Sequence, residues 1–390
     1  MKDFVLFCAV LFNFMFRFVL ERFKKKIQAM PPIALKSFHI QNFRGIKDTK
    51  VEGIPLNTRW IFLTGENGFG KTSILQAIAA GLLVASNYNL GGTIDIEFTK
   101  KDQLCTNKLS PNGEHADEIM NDFLCAYGSS RLRVSAGNSR ETVEAQSVIN
   151  SLFSSESLLL DTEERLKDWS ENYKAGFDEL ETLFKNLLPR LGKIKVEFNK
   201  NTKSSEVKYY EIDADNVAFE EGVTFSQLAA GYKNIIAMIG DMVYRLSLKQ
   251  NVRKLSNLEG IVIIDEIELH LHPKYQKIFI EKLTELFPKI QFIVSTHSPI
   301  PLLGSPKEMI VIQVNRTEEE GIVAKILDIN FQNLTPEDIL SSPVFGFDDF
   351  IPASNENLEA ISTEQSPTEA KQILGLKQKL KLLKANLNFN

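Results

Sequence analysis

Residues 65–72 read G-E-N-G-F-G-K-T, a match to the phosphate-loop pattern G-x-x-x-x-G-K-[ST], and no other stretch limits the available folds so strongly. An apolar strand, W-I-F-L at 60–63, enters the loop, and a helical run, S-I-L-Q-A-I-A-A at 73–80, leaves it. Gly65, Gly68 and Gly70 let backbone N–H groups turn inward around phosphate oxygens, and the helix N-terminus adds the positive end of its dipole. Lys71 is expected to reach the β- and γ-phosphates of ATP, and Thr72 to ligate Mg²⁺. Glu66, Asn67, Phe69 and Ser73 complete the nucleotide-binding stretch.

Residues 260–264, G-I-V-I-I, read as a parallel strand buried on both faces of a sheet. Two acids follow directly, and they would be costly there unless they work on a cation. Asp265 is expected at Mg²⁺ through water, and Glu266 is expected to polarise the attacking water. Residues 291–295, Q-F-I-V-S, form another buried strand, which delivers His297 to hydrogen-bond the γ-phosphate.

At these residues the chain resembles the ABC-type ATPase heads of the SMC, RecF and OLD group, over most of residues 33–345. The resemblance includes an opening strand, 35–46, that ends in N-F-R-G-I, the element Y-G-S-S-R at 127–131, and E-L-H-L-H-P at 268–273 where the group places its D-loop. It implies an α/β P-loop NTPase head with a mixed-sheet core, an antiparallel N-terminal β portion and a short helical insert. It also implies a signature segment in Leu228, Ala229, Ala230 and Gly231 that caps ATP held by a second copy. The group's signature serine is replaced here by Ala229, with Ser226 as the nearby hydroxyl. No Q-loop glutamine stands out: Gln103 fits poorly, and Arg131 is the alternative for part of that role.

The 390 residues carry 45 basic and 50 acidic side chains, net −5, which argues against a surface that binds nucleic acid all over and leaves a local basic groove open. The three cysteines, Cys8, Cys105 and Cys125, form no paired framework and fit reduced thiols in a cytoplasmic protein. Residues 4–20 are apolar but for Asn13 and Arg17, which is short of the roughly 18–20 residues that span a bilayer. Their basic flank follows them, unlike that of a signal peptide. A translation start at Met30 is the favoured reading and a membrane anchor the other.

The organisation expected is an extension at 1–30, an N-terminal ATPase lobe at 31–155, a helical insert at 156–192, a C-terminal ATPase lobe at 193–345, and a linker with a basic tail helix at 346–390. Residues 93–98 alternate as an antiparallel strand, whereas 106–117 read as a polar loop. Residues 193–213 read as a hairpin, 309–314 and 322–329 as further strands, and 334–340 as a capped helix.

His270 and His272 near the acids invite a zinc assignment, but a second cation would draw those acids from Mg²⁺, and the D-loop likeness already accounts for the segment. Too little chain follows His297 for the TOPRIM nuclease of OLD proteins, and Asp348 and Asp349 have the wrong spacing for one. The resemblance therefore implies an ATPase acting as a homodimer or higher oligomer with a separate effector, a nuclease or other protein, in anti-phage defence or DNA repair. Direct DNA binding is left open. A membrane-linked transport ATPase is the alternative.

Overall fold

The computed structural model describes residues 30–88, 91–131, 147–200, 203–213, 215, 217–250 and 252–327. The expectations for the N-terminal extension, the helix at 334–340, the linker and the tail helix lie outside the described residues.

Among the described residues, eleven strands form one mixed sheet. In chain order these are β1 (Ile33–Phe43), β2 (Ile46–Val51), β3 (Trp60–Thr64), β4 (Thr93–Lys100), β5 (Gln103–Ser110), β6 (Gly113–Ala116) and β7 (Leu124–Tyr127). A separate antiparallel pair, β8 (Leu191–Asn199) and β9 (Ser204–Glu211), comes next, and β10 (Gly260–Ile264), β11 (Ile290–Ser295), β12 (Ile310–Thr317) and β13 (Gly321–Leu327) complete the large sheet. Its order is β6-β5-β4-β1-β2-β13-β12-β3-β11-β10-β7, so strands from both ends of the sequence interleave. The run β12-β3-β11-β10-β7 is parallel, and the remainder pairs antiparallel.

The parallel strands are apolar on both faces because both faces are covered. Trp60, Phe62, Val262, Ile264, Phe292 and Val294 enter one core cluster, while Ile61, Leu63, Ile261, Ile263 and Ile293 enter the other. The second cluster is closed by α1 (Lys71–Leu83) and α2 (Ser147–Phe153), the first by α3 (Thr162–Asn172), α4 (Lys174–Leu187), α5 (Ala230–Lys249) and α6 (Pro273–Leu286). Trp60 shows how tightly this layer is built: its ring stacks 4.5 Å from Phe292 and 5.5 Å from Phe62, and its Nε1 donates to Thr284 Oγ1 at 2.9 Å. Strands this firmly packed give the loops at their C-terminal ends a rigid base.

Two expectations change. Residues 106–117 are not a loop, because β5 pairs with β4 and β6 there. The polar composition hid a strand with one wet face and a dry face holding Cys105, Asn107 and Leu109. Asn107 is tolerated inside because its Nδ2 donates to the carbonyls of Gly81, Leu82 and Glu118. The opening strand likewise stops at Phe43. Arg44 (φ 45°) and Gly45 (φ 87°) turn the chain, and Ile46 begins β2, paired with Phe43. Among the described residues no helix is long and apolar enough to cross a membrane.

Candidate functional site

Because β10, β11 and β3 are adjacent and parallel, the segments that follow them meet along one sheet edge. Topology alone thus gathers the glycine-rich loop, the acid pair and His297, which lie far apart in sequence.

The loop leads into α1, whose N-cap, Gly70, has φ 95° and no side-chain cap, so the first-turn N–H groups have no acceptor from their own N-cap side chain. Lys71 is buried, and its Nζ donates to the carbonyls of Gly65 (2.8 Å) and Glu66 (2.9 Å). Burial holds the ammonium down to about 8, against a partial pull upward from Asp265, Glu268 and Glu266. A buried ammonium that donates to two main-chain carbonyls, below an uncapped helix start, matches a polyphosphate.

Thr72 Oγ1 donates to Asp265 Oδ2 at 2.8 Å, and Ser295 Oγ donates to Asp265 Oδ1 at 2.5 Å. Asp265 is 4% exposed. A hydroxyl and a carboxylate meeting at a phosphate loop are hard oxygen donors of the kind that could hold Mg²⁺. Ser295 was not singled out from sequence; a serine closing an otherwise buried strand was the only signal. Its Oγ also accepts from Glu266 N at 2.7 Å and so joins both acids.

Lys71 Nζ lies 3.3 Å from His297 Nδ1. An ammonium only donates, so Nδ1 accepts and the ring proton sits on Nε2, free to donate elsewhere. Burial, then the Lys71 charge, lower the His297 pKa, which favours this neutral form. The main-chain N of His297 donates to Glu268 Oε1 at 2.6 Å. Glu268, whose carboxyl burial raises in pKa, therefore braces the His297 loop from the 268–273 segment. His272 in that segment is the N-cap of α6, its Nδ1 accepting from Lys274 N at 3.3 Å.

The signature segment lies at the start of α5, which begins at Ala230. Leu228 is buried, and Ala229 and Ala230 are exposed. A Cβ on Gly231 would fall 2.7 Å from the His270 carbonyl oxygen, so the helix start rests on the 268–273 segment. Ser226 is held away in the preceding turn, its Oγ 2.9 Å from Thr224 Oγ1. Arg131, the alternative for the Q-loop role, is 1% exposed, and its guanidinium donates to carbonyls of Gly128, Asp265 and Glu266.

Residues 139–300 match the AAA ATPase domain family, a span that includes α5, the acid pair and His297. The chain is 29% identical to the Septu protein PtuA of Bacillus mycoides (strain KBAB4), over 89% of this chain and 50% of that protein. It is 36% identical to the Retron Vc95 probable ATPase of Vibrio cholerae serotype O1 biovar El Tor, over 41% of this chain and 28% of that protein. The chain thus spans about half or less of the length of these relatives. Among solved structures, the SMC head domain from Thermotoga maritima aligns over 76% of this chain and 99% of its own, with 14% identity and a TM-score of 0.45. Residues 139–300 are thus similar to an AAA ATPase domain, and the chain is similar in sequence to a Septu protein and to a retron probable ATPase.

Proposed function

We propose that this chain binds ATP with Mg²⁺ and hydrolyses it as a head-to-head dimer, switching a separate effector protein in anti-phage defence. The observation that carries the chemistry is the cluster Lys71, Thr72, Asp265, Ser295 and His297 at one sheet edge. Relatives named as Septu and retron proteins support the defence setting.

In this reading the N–H groups of Gly68, Gly70, Lys71, Thr72 and Ser73 line the phosphates, and Glu66, Asn67 and Phe69 shape the loop around them. Lys71 gives up a carbonyl partner to meet the β- and γ-phosphates. Thr72 and Asp265 hold the cation, which supplies charge neutralisation to phosphate oxygens when bound. Glu266 orients and polarises the attacking water, and His297 Nε2–H reports the γ-phosphate. Lys71 makes binding pH-dependent, with a definite sign. The free ammonium titrates at about 8, and an anion beside it raises that value. Affinity is full below that value and falls as pH rises through it, by up to about tenfold per unit until the bound-state value is reached. His297, lowered already, is neutral throughout that window and adds nothing. Titrating Mg²⁺-ATP into the full chain from about pH 7 to about pH 10 checks this; a flat profile removes Lys71 from the phosphates.

Leu228, Ala229, Ala230 and Gly231 are assigned to the second copy's nucleotide. Ala229 is the N-cap of α5 and offers no side-chain acceptor. In Ala229→Ser the new hydroxyl can accept from a first-turn N–H and still donate its proton outward. The cap should stabilise the fold by about 1 kcal/mol. ATP-dependent dimerisation should strengthen, while monomer affinity for ATP stays the same. Sedimentation with ATP in a Glu266→Gln background measures it, and equal or weaker dimers would remove these residues from the interface.

A further inference from the structure

Arg131 follows β7 and is among the largest fully buried side chains of the described residues. Its Nη1 donates to Gly128 O (3.1 Å) and Asp265 O (2.6 Å), its Nη2 to Glu266 O (2.7 Å), and its Nε to Asn234 Oδ1 (3.0 Å). Every nitrogen of the fork is used, and none of these acceptors is a carboxylate.

That choice of partners is informative. Burying a guanidinium costs it much of its hydration, which neutral carbonyls repay poorly compared with an ion pair. What the fork supplies instead is direction, since two parallel donors fix two successive carbonyls. Those carbonyls belong to Asp265 and Glu266, and Glu266 sits at φ 50°, a conformation a non-glycine residue keeps only when its surroundings over-determine it. Arg131 holds its carbonyl side, and Ser295 Oγ holds its amide.

The link continues into α5. Asn234, 3% exposed, lies in the first turns of that helix; its Oδ1 receives Arg131, and its Nδ2 donates to Leu269 O at 3.1 Å. One side chain thus ties the guanidinium, the helix start and the 268–273 segment together.

We propose that Arg131 is a positioning residue for Glu266, and that Asn234 locks this setting to the start of α5, so that Glu266 is aligned only when the signature end of the helix is in place. The inference rests on the reading of Glu266 as the residue that orients the attacking water. A displaced start of α5 would pull Asn234 from Nε, let the fork turn, and free the Glu266 carbonyl to relax from its left-handed conformation.

The test compares the full chain with Arg131→Lys, Asn234→Ala and Glu266→Gln, reading kcat for phosphate release together with the Kd and stoichiometry of bound ATP. Lysine keeps the charge and loses the fork. Arg131→Lys should lower kcat by about tenfold to a hundredfold, the scale of an ångström-sized misplacement. Asn234→Ala should lower it less, and both should bind ATP with unchanged Kd and stoichiometry; unchanged stoichiometry shows that no fraction of the protein has been lost to misfolding. Wild-type kcat in both variants, or affinity lost in step with kcat, would overturn the proposal. A slow Arg131→Lys beside a wild-type Asn234→Ala would overturn the link to α5. If Arg131→Lys does not fold, Asn234→Ala decides, because it removes only the partner of Nε and leaves the guanidinium itself in the chain. Glu266→Gln separates the two ideas: wild-type hydrolysis there sinks the reading of Glu266 itself, whereas an inactive Glu266→Gln with both other variants at wild-type rates sinks only the positioning role.

Discussion

Glu266→Gln should hold ATP as tightly as the unaltered chain, or more tightly, and lose hydrolysis by about a hundredfold to ten-thousandfold, the usual range for a water-activating carboxylate. The amide keeps the shape of the side chain and removes only its charge and basicity. The Glu266 amide on Ser295 and its carbonyl on Arg131 involve the backbone, so the turn keeps its conformation. Removing a negative charge beside a polyphosphate also lessens repulsion, which is why affinity should not fall. Lys71→Ala should do the opposite. It deletes the buried ammonium that donates to Gly65 O and Glu66 O, and with it a charged hydrogen bond worth about 1.5–3 kcal/mol, or roughly tenfold to a hundredfold in Kd. A fluorescent ATP analogue and a phosphate-release assay measure the two properties separately. Hydrolysis at the wild-type rate in Glu266→Gln would return the role to another acid, with Glu268 the next to test because its carboxylate already braces His297.

What could be read from sequence was what a short window contains. A glycine loop between an apolar strand and a helix, and two acids at the end of an apolar strand, each announce their local geometry. Adjacency of β3, β11 and β10 then turns three local readings into one edge, although no window contains that order. The parts that escaped depend on partners far along the chain. Asn107 made β5 look like a loop because its three carbonyl partners lie in α1 and beyond β6. Arg131 looked free to meet a nucleotide until the carbonyls that occupy it, 134 and 135 residues away, came into view. Ser295 carried only a faint mark, since a serine at a strand end is ordinary until a carboxylate and an amide converge on it.

Gly65→Ala should abolish tight ATP binding, and by a route distinct from loss of a ligand. Gly65 has φ 139°, and a Cβ built on it would lie 2.2 Å from Val314 O, a distance no packed pair adopts. The obstructing atom is backbone in β12, whose register with β3 pairs Gln313 with Thr64 immediately before the loop, so it cannot swing aside as a side chain would. The loop itself must therefore move. Lys71 is tied to Gly65 O, so the displacement passes to the ammonium. Misplacing a binding group by about an ångström commonly loses about a hundredfold, and Kd should rise by at least that much. Gly53→Ala is the control: φ is 76°, and nothing lies within 4 Å of the added carbon. It carries only the left-handed backbone penalty of about 1–2 kcal/mol, so it should lower the melting temperature by a few degrees and leave Kd unchanged. Isothermal titration of both variants against ATP, alongside thermal unfolding, separates the effects. Should Gly65→Ala bind ATP like the unaltered chain, the 65–72 loop would tolerate a shift against β12, and its close seating on Val314 would have no part in presenting Lys71.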